Sequence, residues 1–335
     1  MRVLLTGASG FIGKRLVLDL LEAGHELRGS VRSAAREEEV RGAVRPHLSD
    51  PALLDRLSFV RLDLTRDEGW EEALDGMEAM VHSASPFPLG APKRPDDVIR
   101  PAVDGTLRAM NAAWQAGVHR VVLTSSVAAI MNKELPKGYE ISEADWSDEN
   151  WLSHDPYSLS KTMAERAAWE FAREHPEMRL TVICPGMVLG TPLDRRYGAS
   201  LGLVERILKG RDLAVPNFGL PFVDLRDISC MHVEALARPA TAGKRYMGAA
   251  GFAMIPKLAG WLAEAHPERR IATRKAPSWT VRMIGRLDGN ARVIVPILGR
   301  RLKVDNGAAR RDLGIEFANM RESALASARF LTSKG

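Results

Sequence analysis

Short apolar runs rich in β-branched residues recur through the first half of the chain, with longer stretches of helical spacing between them. The runs predict strands over 2–6, 26–31, 58–62, 79–83, 120–125 and 180–184. The stretches between them include predicted helices over 10–23, 95–116 and 155–174. Near-continuous apolar strands alternating with helices imply a parallel sheet covered on both faces. Right-handed crossovers then give a doubly wound α/β fold.

After Gly190 the rhythm changes. Prolines and glycines crowd 190–192 and 216–221, and the remaining apolar periodicity predicts helices over 227–236, 256–265, 278–287 and 306–313. This division predicts a nucleotide-binding domain over 1–190 plus about 222–250. It assigns 191–221 and 251–335 to a smaller, mostly helical substrate domain. The chain has no internal repeat or low-complexity tract.

Composition narrows the classes. Of 335 residues, 45% are hydrophobic and 27% charged, as in an ordinary globular protein. The net charge of +5 comes from 47 basic and 42 acidic side chains with no dense Lys/Arg run, which argues against a nucleic-acid partner. Two cysteines, Cys184 and Cys230, lack metal-ligand spacing, so neither a metal site nor a disulfide framework is expected. No stretch approaches a membrane span, and the opening residues enter a strand at once rather than a signal peptide. A cytoplasmic enzyme, monomer or homodimer, is the expectation.

The first chemistry lies in Thr6-Gly7-Ala8-Ser9-Gly10-Phe11-Ile12-Gly13, between the first strand and the first helix. Gly7 suits a tight turn, Gly10 lets the backbone approach a pyrophosphate, and Gly13 permits close packing. Ser9, Phe11 and Ile12 then sit at the helix N-terminus, whose free N–H groups favour phosphate. These features predict a Rossmann-type dinucleotide site. The second strand ends Val31-Arg32-Ser33-Ala34-Ala35-Arg36, with no carboxylate to hold ribose hydroxyls. Arg32 and Arg36 suit a 2′-phosphate instead, so the predicted cofactor is NADP(H). The acidic run 37–39 offers these arginines competing partners. Asp63 and Leu64, at the end of the third strand, are candidates for contacts to adenine, though an Asp there also suits a turn.

The second site is Tyr157-Ser158-Leu159-Ser160-Lys161, where i, i+4 spacing puts Tyr157 and Lys161 on one helix face. A nearby ammonium, together with the positive nicotinamide of an oxidised cofactor, lowers a phenol pKa and suits it to proton transfer. Thr124-Ser125-Ser126 ends an apolar strand, where a serine can orient a substrate carbonyl.

The glycine segment, the strand-end serines and the YxxxK helix, in this order, resemble the extended short-chain dehydrogenase/reductase family over nearly the whole chain. The segments 81–87, 101–106 and 184–190 resemble its dihydroflavonol reductase branch, which also holds cinnamoyl reductases and fungal aldehyde and ketone reductases. The resemblance implies that Ser126 is catalytic, with Ser125 the alternative, beside Tyr157 and Lys161. It implies that Thr124, Ala84, Ser85 and Pro86 line the cofactor, with Lys161 on its ribose, and that Pro185, Gly186, Met187 and Val188 flank the nicotinamide. Two departures matter. Ala102 stands where sugar-nucleotide epimerases often carry Asn, and Met131 stands where plant dihydroflavonol reductases carry an Asn that touches the flavonoid.

Met131, Phe87, Phe218 and Phe222 are therefore candidates for an apolar substrate pocket, the phenylalanines alternatively closing a domain interface. Asp227 is read as a helix N-cap and His232 as a core or surface histidine rather than a catalytic one. Glu165 is read as a partner of Lys161 or half of an exposed helix pair. The expected function is an NADPH-dependent reductase that passes hydride to an apolar or aromatic aldehyde or ketone, with tyrosine as proton donor. A sugar-nucleotide epimerase or dehydratase would expect NAD and an Asn near Ala102. A non-catalytic NADP-binding regulator would tend to lose the Tyr–Lys pair.

Overall fold

The structure is a computed structural model that describes residues 1–85, 94–153 and 155–333, apart from the side chain of residue 290. In chain order the elements through the nucleotide-binding half are β1 (Arg2–Thr6), α1 (Phe11–Glu22), β2 (Glu26–Val31), α2 (Ala34–Val44), β3 (Leu57–Arg61), α3 (Trp70–Leu74), β4 (Ala79–His82), α4 (Asp96–Gln115), β5 (Arg120–Thr124), β6 (Glu140–Ile141), α5 (Pro156–Glu174) and β7 (Arg179–Pro185). Then follow β8 (Met187–Leu189), α6 (Ala199–Leu208), β9 (Gly219–Asp224), α7 (Leu225–Ala237), β10 (Lys244–Gly248), β11 (Gly251–Met254), α8 (Ile255–Ala265), α9 (Ser278–Ile284), α10 (Gly289–Ile294), β12 (Lys303–Val304), α11 (Gly307–Leu313) and α12 (Met320–Thr332).

Seven strands form one parallel sheet in the order β10-β7-β5-β4-β1-β2-β3. Chain order reverses direction between β1 and β4, so a crevice opens there at the carboxyl ends of the strands. Period-2 alternation sends neighbouring side chains to opposite faces. Val3 and Leu5 join Val81, Val122 and Ile183 in a core under α1 and α7, while Leu4 joins Met80, Val121 and Val182 in a second core under α3, α4 and α5. All of these are essentially inaccessible to solvent, which accounts for the near-continuous apolar runs in the sequence.

A third core gathers Val204, Ile207, Phe222, Leu258, Leu262, Ala324 and Ala328 from α6, β9, α8 and α12. This part contains more than helices: β11, β9 and β8 make a three-stranded sheet, β8 parallel and β11 antiparallel to β9. The expected N-cap also moves. Asp224, not Asp227, caps α7 by accepting from Arg226 N at 2.9 Å. Asp227 lies in the first turn of that helix and accepts from Ala318 N at 2.9 Å, tying α7 to the approach of α12. Among the described residues no helix is long and apolar enough to cross a membrane.

Candidate active site

A cavity of about 520 Å³ follows the strand ends across the switch point. Its floor is the glycine turn after β1. Gly7 has φ +74°, which favours glycine, and a Cβ there would stand 2.9 Å from the Ala84 backbone. A Cβ on Gly13 would stand 2.0 Å from the Gly7 carbonyl oxygen. Gly13 therefore lets the first turn of α1 fold onto the loop that precedes it. Gly10 N donates to Gly7 O at 2.9 Å, and Ser30 Oγ accepts from Gly7 N at 3.1 Å. No side chain caps α1 and no acidic residue sits in its first turn, so its positive end faces the cavity. Ser9, Gly10, Phe11 and Ile12 line it.

At the adenosine end, Arg32 and Arg36 both line the cavity, with Leu62 and Leu64. Arg36 Nη1 also reaches Glu39 Oε2 at 2.5 Å, so one of the acidic neighbours is a competing partner. Burial pushes Glu39 up, but the hydrogen bonds from Lys14 and Arg36 hold it below the usual carboxylate value.

At the other end, Thr124, Ser125, Ser126, Tyr157 and Lys161 come together with Ser83, Ala84 and Ser85. Asp155 caps α5 by accepting from Ser158 N at 3.1 Å and Pro156 occupies its first turn, so Tyr157 enters the site on that turn. The Ser126 hydroxyl stands beside the Tyr157 phenol, while Ser126 Oγ accepts from Ala128 N at 3.1 Å. Burial raises the phenol pKa and Ser126 pulls it down. Burial is the larger influence, so the phenol stands above its ordinary value in the protein alone. Burial brings the Lys161 ammonium down to about 8 against the pull of Cys184 and Glu165.

The wall behind these groups is polar. Ser125 Oγ donates to Glu165 Oε2 at 2.5 Å, and Trp169 Nε1 to Glu165 Oε1 at 3.2 Å. Glu165 is buried and paired with Arg245 at 2.7 Å. It is therefore not half of an exposed pair: its ion pair is with Arg245, and its charge also pulls on the Lys161 ammonium. Thr124 Oγ1 bonds His232 Nε2 at 2.7 Å, and His232 Nδ1 donates to Ile228 O at 2.7 Å. His232 is a buried, bonded core histidine.

The model of the NAD dependent epimerase/dehydratase family matches residues 3–247. The chain belongs to this family, as an extended short-chain dehydrogenase/reductase. Cinnamoyl-CoA reductase 1 of Arabidopsis thaliana is 30% identical over 337 residues, covering 99% of this chain and 90% of that protein. Dihydroflavonol 4-reductase of Zea mays is 31% identical, covering 81% and 76%. The yeast methylglyoxal/isovaleraldehyde reductase Gre2, solved with NADPH, superposes with a TM-score of 0.82 at 24% identity, covering 99% and 98%.

On this family frame, the remaining sequence-predicted residues divide. Pro185, Gly186 and Val188 line the cavity; Met187 does not, and pairs with Phe222 in the small sheet. Asp63 is absent from the cavity wall too, accepting instead from Thr65 N at 2.9 Å and Thr65 Oγ1 at 2.7 Å as the anchor of a turn. Met131 is 4% exposed in the second core, and Phe218 and Phe222 are in the third, so none of the three lines the cavity. These three side chains pack into the core, as large apolar side chains beside a sheet do. Pro86 and Phe87 lie outside the described residues. Sequence reasoning missed Arg196, Gly198, Ala199 and Ser200, which line the cavity from the segment before α6 and its first turn. Only Gly198 and Ser200, as cap-type residues at a helix start, left a signal.

Proposed function

We propose that the protein is an NADPH-dependent reductase that delivers hydride to the carbonyl of an apolar or aromatic aldehyde or ketone. One observation carries this reading: Ser126, Tyr157 and Lys161 meet at one end of a cavity whose other end holds Arg32 and Arg36. The residues fit the cofactor. Gly7 and Gly13 leave a cradle that a Cβ would fill, α1 offers its uncapped positive end to a pyrophosphate, and two guanidiniums suit a 2′-phosphate. Ala84, Ser85, Thr124, Pro185, Gly186 and Val188 form the nicotinamide side.

Bound there, NADPH supplies the hydride. Tyr157 gives its phenolic proton to the carbonyl oxygen as the carbon becomes an alcohol. Burial keeps the phenol protonated until substrate arrives. Ser126, beside the phenol, orients the carbonyl oxygen against it. The Lys161 ammonium, charged at neutral pH, favours the phenolate that the transfer leaves. Positioned proton transfer of this kind contributes about 10²–10⁴-fold. The names of the relatives, a cinnamoyl-CoA reductase, a dihydroflavonol 4-reductase and a methylglyoxal/isovaleraldehyde reductase, support a substrate of the same class.

The test is NADPH consumption across aliphatic aldehydes, aromatic aldehydes, ketones and sugar nucleotides. Turnover of apolar or aromatic carbonyl compounds is expected. Turnover confined to a sugar nucleotide, with no net NADPH consumed, would overturn the reading.

A further inference from the structure

The segment 191–198 arrives from beyond β8 and runs across to the adenosine end of the cavity, where charge holds it. Lys14 of α1 has a side chain only 2% exposed, and it pairs with Asp194 of this segment and with Glu39 Oε1 at 2.8 Å. The other oxygen of Glu39 takes Arg36 Nη1 at 2.5 Å and Arg196 Nε at 3.2 Å. Two guanidiniums from distant parts of the chain therefore meet at one carboxylate oxygen. Both line the cavity, and Arg32 lines it with them.

Anchoring the segment does not require Arg196, because the buried Lys14–Asp194 pair already does so. Three cations face two carboxylates in this cluster, and Arg32 adds a further positive charge on the same wall. The Arg196 side chain is 60% exposed, and it meets Glu39 through Nε. A guanidinium carries five N–H donors in a fork that matches a phosphate.

We propose that Arg196 is a third cation for the 2′-phosphate of NADPH, delivered by the half of the chain that also carries α6. This rests on the cofactor reading above. It makes the discrimination between NADPH and NADH a property shared by two distant segments rather than by the end of β2 alone.

Calorimetric titration of NADPH, NADH and 2′,5′-ADP into wild type, Arg196→Gln, Arg196→Lys and Asp194→Asn tests it. Arg196→Gln is expected to weaken NADPH and 2′,5′-ADP about fivefold and NADH less than twofold, with most of the loss recovered in Arg196→Lys. Asp194→Asn cuts the anchor but keeps the Arg196 charge, so it is expected to preserve the NADPH-to-NADH affinity ratio. Equal losses for NADPH and NADH in Arg196→Gln, or no loss, would assign Arg196 to anchoring and overturn the proposal. A wild-type protein without NADPH preference would instead remove the cofactor reading itself, before any variant is compared.

Discussion

Ser125 and Ser126 are neighbours in sequence whose hydroxyls serve different partners. Ser126 stands beside the Tyr157 phenol with its Oγ accepting from Ala128 N at 3.1 Å, while Ser125 Oγ donates to the buried Glu165 carboxylate at 2.5 Å. The alternation follows from the extended backbone at the end of β5, where successive side chains point to opposite sides. One serine is thereby committed to the reacting end of the cavity and the other to the wall that supports α5.

The two alanine variants should separate accordingly. Ser126→Ala is expected to lower kcat by tenfold or more, with a modest fall in melting temperature because Ser126 Oγ also accepts from Ala128 N. Ser125→Ala leaves a buried carboxylate short of a donor, which costs roughly 1–3 kcal/mol. It should lower the melting temperature and affect kcat less. Steady-state kinetics alongside thermal melts measure both, and the reverse ordering would exchange the two roles.

Much of this was legible in the chain. β1 and β2 match the expected strands residue for residue; β1 (RVLLT) is an apolar run that meets glycine, whereas β2 (ELRGSV) carries only Leu27 and Val31 as apolar residues. β10 escaped because its sequence KRYMG offers no apolar run, although Tyr246, Met247 and Gly248 are buried beside β7. Gly248 is needed there, since a Cβ would stand 2.4 Å from Ile228 Cδ1. α2 escaped because AAREEEVRGAV buries only Val40, Ala43 and Val44 and shows little apolar periodicity. Tyr157, Lys161 and the glycines were readable because local spacing fixes them. Arg196 was not, because only tertiary folding brings 191–198 to Arg36 and Lys14.

Cofactor preference should depend on Arg32. This side chain lines the adenosine end of the cavity, and the end of β2 offers no carboxylate. Arg32→Ala should weaken NADPH binding about tenfold, the loss of one charge-assisted hydrogen bond, with NADH nearly unchanged. Fluorescence titration with both cofactors checks this, and an equal loss for both would place Arg32 elsewhere in the binding energy.

Two buried histidines set an acid limit on stability. Burial, with the Lys161 charge nearby, pushes His82 down to about 3, and burial pushes His232 down to about 4. Both stay neutral when folded but take up a proton near the ordinary value of about 6.5 when unfolded. The unfolded state therefore binds more protons between about 4 and 6.5, and stability rises with pH across that window. Their contribution is complete above about 6.5 and is lost as pH falls toward the folded values. Each histidine is expected to cost roughly 2 kcal/mol between pH 6.5 and 5. Denaturant melts of wild type and His232→Gln at those two pH values should show a shallower loss in the variant; parallel losses would contradict this account.

The proposed chemistry rests on the Tyr157 phenol, and one measurement addresses it most directly. Single-turnover oxidation of bound NADPH, followed by absorbance with the best aldehyde or ketone substrate, compares wild type with Tyr157→Phe. The ring and its packing remain in the variant, so NADPH affinity should stay within about threefold. The rate should fall by at least a hundredfold, the lower end of what a positioned proton donor contributes. A Tyr157→Phe protein that keeps more than about a tenth of the wild-type rate would contradict the assignment of Tyr157 as the proton donor.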